Sequence, residues 1–231
     1  MTESLINVNG QNVQALEILF LTTMITLLPS LLVMMTSFTR YIISFSFLRS
    51  AIGTQQTPPN MVLVGMALFL TLFTMAPVVT QIQKEAYEPY KQEEISQEEF
   101  LDRAQVHVHI LRQVPLKEFM LRNTKTSTLN MFCDLAKVDL SENVNMEEAM
   151  KLPLRVVVPS FMTCELQRAF EIGLLLYIPF MLIDIVVSST LMSMGMIMLP
   201  PSMISMPFKL LLFVTVNGWE LLFSSLVQSF K

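Results

Sequence analysis

Residues Ile172–Phe208 read IGLLLYIPFMLIDIVVSSTLMSMGMIMLPPSMISMPF, a run with one charged side chain, Asp184. A helix crosses a hydrocarbon core of about 30 Å with roughly 20 residues, so this run is too long for a single span. Pro179, Pro200, Pro201 and Pro207 interrupt it. The reading is a helix to about Met194, an irregular Met/Pro segment, and a path into the last helix. Irregular backbone survives at membrane depth only against protein or a water-filled cavity. Within the run, Met192-Ser-Met-Gly-Met-Ile-Met198 sets methionines at alternate positions. On a helix that period wraps round the cylinder instead of forming one face, so the stretch should leave helical geometry near Gly195. Thioether side chains are flexible and polarizable. A ring of such loops, one per subunit, would close a wide hole and deform around a passing chain. Plain core packing is the competing reading, because methionine occurs 19 times in the chain.

The rest of the sequence agrees with a membrane setting. Of 231 residues, 52% are hydrophobic and 15% are charged, with a mean hydropathy of +0.53. Soluble domains carry roughly 25% charged residues. The formal charge of -4 and the lack of a Lys/Arg run exclude a strongly basic nucleic-acid binder. Twenty-three of the charged side chains lie between Lys84 and Arg155. Three blocks follow: an N-terminal apolar helical hairpin over 1–83, a polar extracytoplasmic helical region over 84–155, and a C-terminal apolar hairpin with the Met-rich loop over 156–231. Ile18–Met35 and Met61–Val79 are spanning candidates, with Pro29 and Pro77 as kinks, and Leu210–Val227 is the last apolar helix. The fold class expected is all-α, membrane-associated kinked helical hairpins with a helical middle.

Arg40 and Arg49 lie between the first two apolar segments, and Lys209 opens the last one. The positive-inside rule puts those loops in the cytoplasm and the middle region outside, although Lys231 pulls weakly the other way. Met1–Gln14 has no basic residue and does not read as a secretory signal peptide. Either the first segment acts as an uncleaved insertion signal or an upstream peptide is missing. In the middle, Gln92–Ile110 is close to amphipathic spacing, with a capping box at Ser96 and Glu99. Pro115 should end or bend that run, and Leu129–Val138 suits a short helix.

Reactive chemistry is sparse. His107 and His109, two apart, point away from each other on a helix and cannot share a metal. Cys133 and Cys164 are a pair that an oxidising compartment would allow to bridge, but their spacing decides nothing. Walker A, dinucleotide-loop, G-x-S-x-G and HExxH patterns do not occur. No catalytic, metal or cofactor site is expected. The polar residues that need an explanation are Glu165, Arg168, Glu171, Asp184, Lys209 and Glu220, because ionisable groups at membrane depth cost about 2.5–3.5 kcal/mol each. Arg168 stands three from both Glu165 and Glu171, which permits a ladder on one helix face. Alternatively, Glu165 or Glu171 meets Lys209 or an arginine of an adjoining subunit. Asp184 has no partner within four residues and must take one from another helix.

Further motifs carry a resemblance. Ser37-Phe-Thr-Arg40, Leu48-Arg49, Gln55-Gln56, Pro58-Pro59-Asn60, Ala67-Leu-Phe-Leu-Thr71 and Met75-Ala-Pro-Val78 resemble the N-terminal signature of the FliP family of flagellar export-gate proteins. Ala169-Phe-Glu-Ile-Gly173, Ile183-Asp-Ile-Val-Val187, Leu191-Met-Ser-Met-Gly-Met196, Leu199-Pro-Pro201, Pro207-Phe-Lys209 and Gly218-Trp219 resemble its second half. Met61 stands where the family usually has Gln, and Asn217 where it has Asp. The resemblance implies a non-enzymatic pore subunit of the inner membrane in the flagellar basal body, partly exposed to the periplasm. Typically five copies join FliQ and FliR in a cone for unfolded substrates, with FlhB and FlhA nearby and lipid around. It also implies a methionine gasket at Met192, Met194, Met196 and Met198, and kinked hairpins in place of simple spans. Arg40, Arg49, Glu165, Arg168, Glu171, Asp184 and Lys209 are then the subunit-contact or buried polar positions. An injectisome export-gate subunit is the nearest rival, although Leu199-Pro200-Pro201 resembles the flagellar branch. A small-solute permease would show paired midplane ionisable groups and inverted repeats, which are not evident.

Overall fold

The computed structural model describes residues 5–8, 11–54, 56–84, 115–138, 145–196 and 198–230. The amphipathic reading of Gln92–Ile110, its capping box, and both histidines lie outside these residues. A short antiparallel hairpin, β1 (Leu5–Val8) with β2 (Gln11–Gln14), precedes the helices, pairing Leu5 with Gln14 and Val8 with Gln11. This small departure from an all-helical expectation leads directly into α1 (Ala15–Met35). The other described elements are also helical: α2 (Phe38–Ile52), α3 (Asn60–Ile82), α4 (Pro115–Arg122), α5 (Thr126–Ala136), α6 (Met146–Ala149), α7 (Leu154–Ser193), α8 (Pro201–Thr215) and α9 (Gly218–Gln228).

The helix α7 is the spine. Its 40 residues, at 1.5 Å rise each, make a rod of about 60 Å, twice the thickness of a hydrocarbon core. By length and apolarity α3 and α7 are each able to cross a membrane, and the pair α8–α9, bent by 65°, is a third candidate. Proline behaves differently from the expectation. Pro179 lies inside α7 and Pro207 inside α8, while only Pro200-Pro201 coincides with a break, Pro201 taking the first helical position. A proline ring removes one helix hydrogen bond, and in an apolar helix neighbouring segments can re-satisfy the freed carbonyl. Pro115 opens α4, as suits the first turn, and the run it was expected to end or bend lies outside the described residues. The last apolar segment is two helices, because Asn217 takes a left-handed conformation (φ 51°) between them.

The segment between the first two apolar runs is no loop. The helix α2 buries Tyr41, Phe45, Leu48 and Ile52 in one row and Arg40, Ser44 and Ala51 in the next. Arg40 is therefore buried and cannot count as a loop charge for orientation. Tyr41 shares a hydrogen bond with Thr74 of α3. Two apolar cores result. One joins Met35, Met75 and Val78 to Phe119, Met120, Leu129 and Cys133 of α4–α5 and to Val156, Val157 and Phe161 of α7. The other gathers Tyr41, Phe45, Leu48, Leu63, Ala67, Phe180, Phe213, Leu222 and Leu226. Phe230 packs against both. The polar middle thus shares a core with the apolar blocks.

Lys117 of α4 is buried with no carboxylate partner among the described residues and donates from Nζ to the carbonyls of Met150 (2.7 Å) and Leu152 (2.6 Å), which closes the chain after α6. Burial holds its ammonium below the ordinary lysine pKa. Cys133 and Cys164 are both free and buried. Cys164 Sγ accepts the Lys125 backbone N–H at 3.3 Å.

The contact between α2 and α7 depends on Gly173, where a Cβ would lie 2.5 Å from the Phe47 ring. Gly173→Ala should destabilise the fold by about 1–3 kcal/mol through overpacking. Gly65→Ala in α3, with nothing within 4 Å of the added carbon, should be neutral or stabilising by up to about 1 kcal/mol. Thermal unfolding of both variants in detergent checks the pair; equal Tm shifts would contradict the close approach.

Candidate functional site

Three polar constructions and one exposed loop stand out from the apolar background. The first is centred on Arg40, near the start of α2. Its Nε donates to Glu165 Oε2 of α7 at 2.8 Å, and Nη2 donates to Oε1, with neither side chain exposed. Its Nη1 donates to the Ser229 carbonyl (3.0 Å) and to Ser229 Oγ (2.7 Å). The guanidinium carbon lies 3.5 Å from the centroid of the Phe230 ring. One side chain therefore ties α2, α7 and the segment after α9. A bidentate, hydrogen-bonded and stacked arrangement is the form in which a buried arginine is tolerable.

The expected ladder on α7 is only half formed. Arg168 reaches Glu165 at 3.9 Å and Asn123 Oδ1 at 3.5 Å. Glu171 turns instead to Lys125 of the α4–α5 connection at 3.7 Å and accepts from Gln167 Nε2 at 2.9 Å. Arg40 occupies both oxygens of Glu165, so Arg168 contributes at longer range. Glu165 and Glu171, the two acids for which Lys209 or an arginine of an adjoining subunit was the alternative partner, thus each have a cation within this chain.

The second construction joins α7 to α8. Lys209 Nζ donates to Asp184 Oδ2 (2.7 Å) and to the Ala51 carbonyl (3.0 Å), and Ser205 Oγ donates to Asp184 Oδ1 (2.6 Å). Asp184 finds its partner on another helix, as required, and that partner is Lys209 of the same chain. The ammonium also caps the C-terminal end of α2, where a cation complements the helix dipole. Gly53, at φ 90°, completes that cap by donating its N–H to the Arg49 (3.3 Å) and Ser50 (3.1 Å) carbonyls. Ser205 and the Ser229–Phe230 contacts were missed from sequence. A serine four residues before a lysine on one face of an apolar helix was the available signal.

The third is the α2–α3 turn, where Arg49 Nη1 donates to Asn60 Oδ1 and to the Pro58 carbonyl (3.4 Å). Glu220 is exposed in the first turn of α9, favourable for an acid.

The loop between α7 and α8 presents the methionines. The helix ends at Ser193, Gly195 is left-handed (φ 74°), and the Gly195 and Met196 N–H groups donate to the Met192 and Leu191 carbonyls, both at 3.0 Å. This double bond pattern is a Schellman cap. Met192 and Met194 are each 70% exposed and Met198 is 96% exposed, with Met196 also open. The described residues offer these side chains no core. Among the described residues no cluster of three or more His, Cys, Asp or Glu side chains is arranged to hold a metal ion.

The two ion pairs should respond differently to substitution. Arg40→Leu leaves Glu165 buried and uncompensated, at a cost of about 3–5 kcal/mol, and Arg40→Leu with Glu165→Leu should recover much of it. Denaturant unfolding in detergent measures both; a double variant as unstable as the single would contradict the pairing. Lys209→Glu should impair folding or assembly and be rescued by Asp184→Lys, but not by Glu165→Lys or Glu171→Lys. Yield of the monodisperse particle is the readout.

Comparison with known proteins places this architecture. Residues 21–226 match the model of the FliP family. The chain is 48% identical over 222 residues to the flagellar biosynthetic protein FliP of Aquifex aeolicus (strain VF5), covering 96% of this chain and 88% of that protein. It is 47% identical over 214 residues to the protein of the same name from Bacillus subtilis (strain 168), covering 93% and 91% respectively. A third relative, from Pectobacterium carotovorum subsp. carotovorum, is 48% identical over 216 residues, or 94% and 79%. With nearly its whole length matched, apolar blocks and polar middle alike, the chain belongs to the FliP family.

Proposed function

We propose that this chain is a non-enzymatic wall subunit of a flagellar protein-export gate in the bacterial inner membrane. Several copies assemble with FliQ and FliR around a conduit for unfolded flagellar substrates, with FlhB and FlhA adjoining and part of the particle facing the periplasm. Relatives named for flagellar biosynthesis support the flagellar context. The observation that carries the pore role is the Met192–Met198 loop. An apolar, adaptable tip capped by a left-handed glycine projects from the α7–α8 junction with nothing among the described residues to cover it.

Methionine is suited to this role because its unbranched thioether has three rotatable bonds and fills gaps of irregular shape. Converging tips would exclude hydrated ions by closing an apolar constriction, a form of gating by dewetting. A translocating polypeptide would displace them without breaking fixed hydrogen bonds. The exposed apolar side chains of α3 and α7, including Phe69, Phe73, Leu174 and Leu175, supply surface for neighbouring helices or lipid.

Replacing Met194, Met196 and Met198 together by Ala should leave the particle assembled while the resting gate leaks small ions. Planar-bilayer conductance of the purified complex checks this. An unchanged seal with normal assembly would remove the gasket role.

A further inference from the structure

The α2–α3 turn holds a cation that no described carboxylate answers. Arg40, Arg168 and Lys209, the other described cations of the two apolar blocks, each face a carboxylate. Arg49 has none among the described residues. Its Nη1 is anchored by Asn60 and Pro58, which fixes the guanidinium plane and leaves Nε and Nη2 without a partner among the described residues. The side chain borders an open cleft of about 290 Å³, lined also by Ser46, Ser50, Gly53 and Thr54. Two of those hydroxyls are already spent on the backbone, Ser46 on the Ile42 carbonyl (2.8 Å) and Thr54 on the Thr57 carbonyl. Ser50, exposed, keeps its hydroxyl for a ligand.

The position of the cleft narrows the chemistry. The helix α3 begins at Asn60, directly beside Arg49, and is apolar enough to cross a membrane. Its first turns turn Met61 (88% exposed) and Val62 outward, with Phe69, Leu72 and Phe73 farther along. Arg49 thus sits where a polar turn gives way to an outward apolar surface, which is the level of a bilayer's phosphates if α3 crosses the membrane. The planar guanidinium edge matches two phosphate oxygens, and basic pockets at this level are suited to anionic headgroups. Of the last carbonyls of α2, those of Arg49 and Ser50 accept the Gly53 N–H and that of Ala51 accepts Lys209, which lessens their repulsion of an anion.

We propose that the cleft at the α2–α3 turn binds a phosphate group through the free edge of Arg49, assisted by the Ser50 hydroxyl. The phosphate is that of a phospholipid headgroup or of a free phosphate ion. Solid-state NMR of the 15N-arginine-labelled full chain reads the contact as dephasing of a guanidinium signal by 31P. One arm uses nanodiscs of phosphatidylcholine and phosphatidylglycerol in phosphate-free buffer, and the other uses a phosphate-free detergent supplemented with inorganic phosphate. Contact in the first arm alone identifies the lipid, and contact in both identifies a general phosphate site.

Arg49→Gln should abolish that dephasing and lower retention of phosphatidylglycerol by about tenfold in native mass spectrometry, as for loss of a charge-assisted hydrogen bond. Asn60→Ala, which removes the internal anchor but keeps the guanidinium, should retain the contact. Should Arg49→Gln fail to fold, Ser50→Asp keeps Arg49 and fills the cleft with a carboxylate, and it should also abolish the contact. The proposal is overturned by absence of an Arg49-dependent 31P contact in both arms, or by dephasing that survives Ser50→Asp. A cross-link showing Arg49 paired with a partner protein's carboxylate in the assembled gate would overturn it equally.

Discussion

A guanidinium with no contact with solvent dictates much of this architecture. Arg40 remains acceptable in an apolar interior only because a carboxylate, a carbonyl, a hydroxyl and an aromatic ring converge on it. Those partners come from α7 and from the segment after α9, so satisfying one charge forces the two ends of the chain's helical array together. The same logic repeats at the other end of α2, where the Lys209 ammonium meets Asp184 and the Ala51 carbonyl. Between these fixed points α2 is a strut, and its rows of Tyr41, Phe45 and Leu48 supply the apolar contact that the ionic anchors align.

Much of the helical framework was legible from hydropathy, because stretches such as Asn60–Ile82 have an apolar content that a water-exposed loop does not sustain. The helix α2 was not. Its two arginines made the segment look like a polar connection, and only Glu165, 125 positions from Arg40, explains the burial of that arginine. Proline misled for a related reason. A local rule marks Pro179 and Pro207 as breaks, whereas packing in the assembled helices overrides the lost hydrogen bond. Asp184 was recognisable as a residue in need of a partner on another helix. Naming Lys209 as that partner required the hairpin geometry, and Ser205 was hidden by being a small polar residue in a methionine-rich stretch.

The methionine loop shows the opposite case, where local rules suffice. A period-two pattern incompatible with a helical face, a glycine, and two prolines together specify a helix stop, and the Schellman bonds at Gly195 supply its geometry. Sequence says less about why the loop is bare. That is a tertiary property: none of the described residues covers Met192, Met194 or Met198, which stay 70–96% exposed.

The length of α7 adds a mechanical consequence. From the Glu165 anchor to Ser193 the helix extends about 42 Å, so pivoting by about 5° at the anchor would swing its far end by about 4 Å. That sweep approaches the reach of a single thioether side chain. A distant tug on the spine would therefore be geared up at the Met-rich loop, and the Lys209 tie acts as the bearing that limits its play.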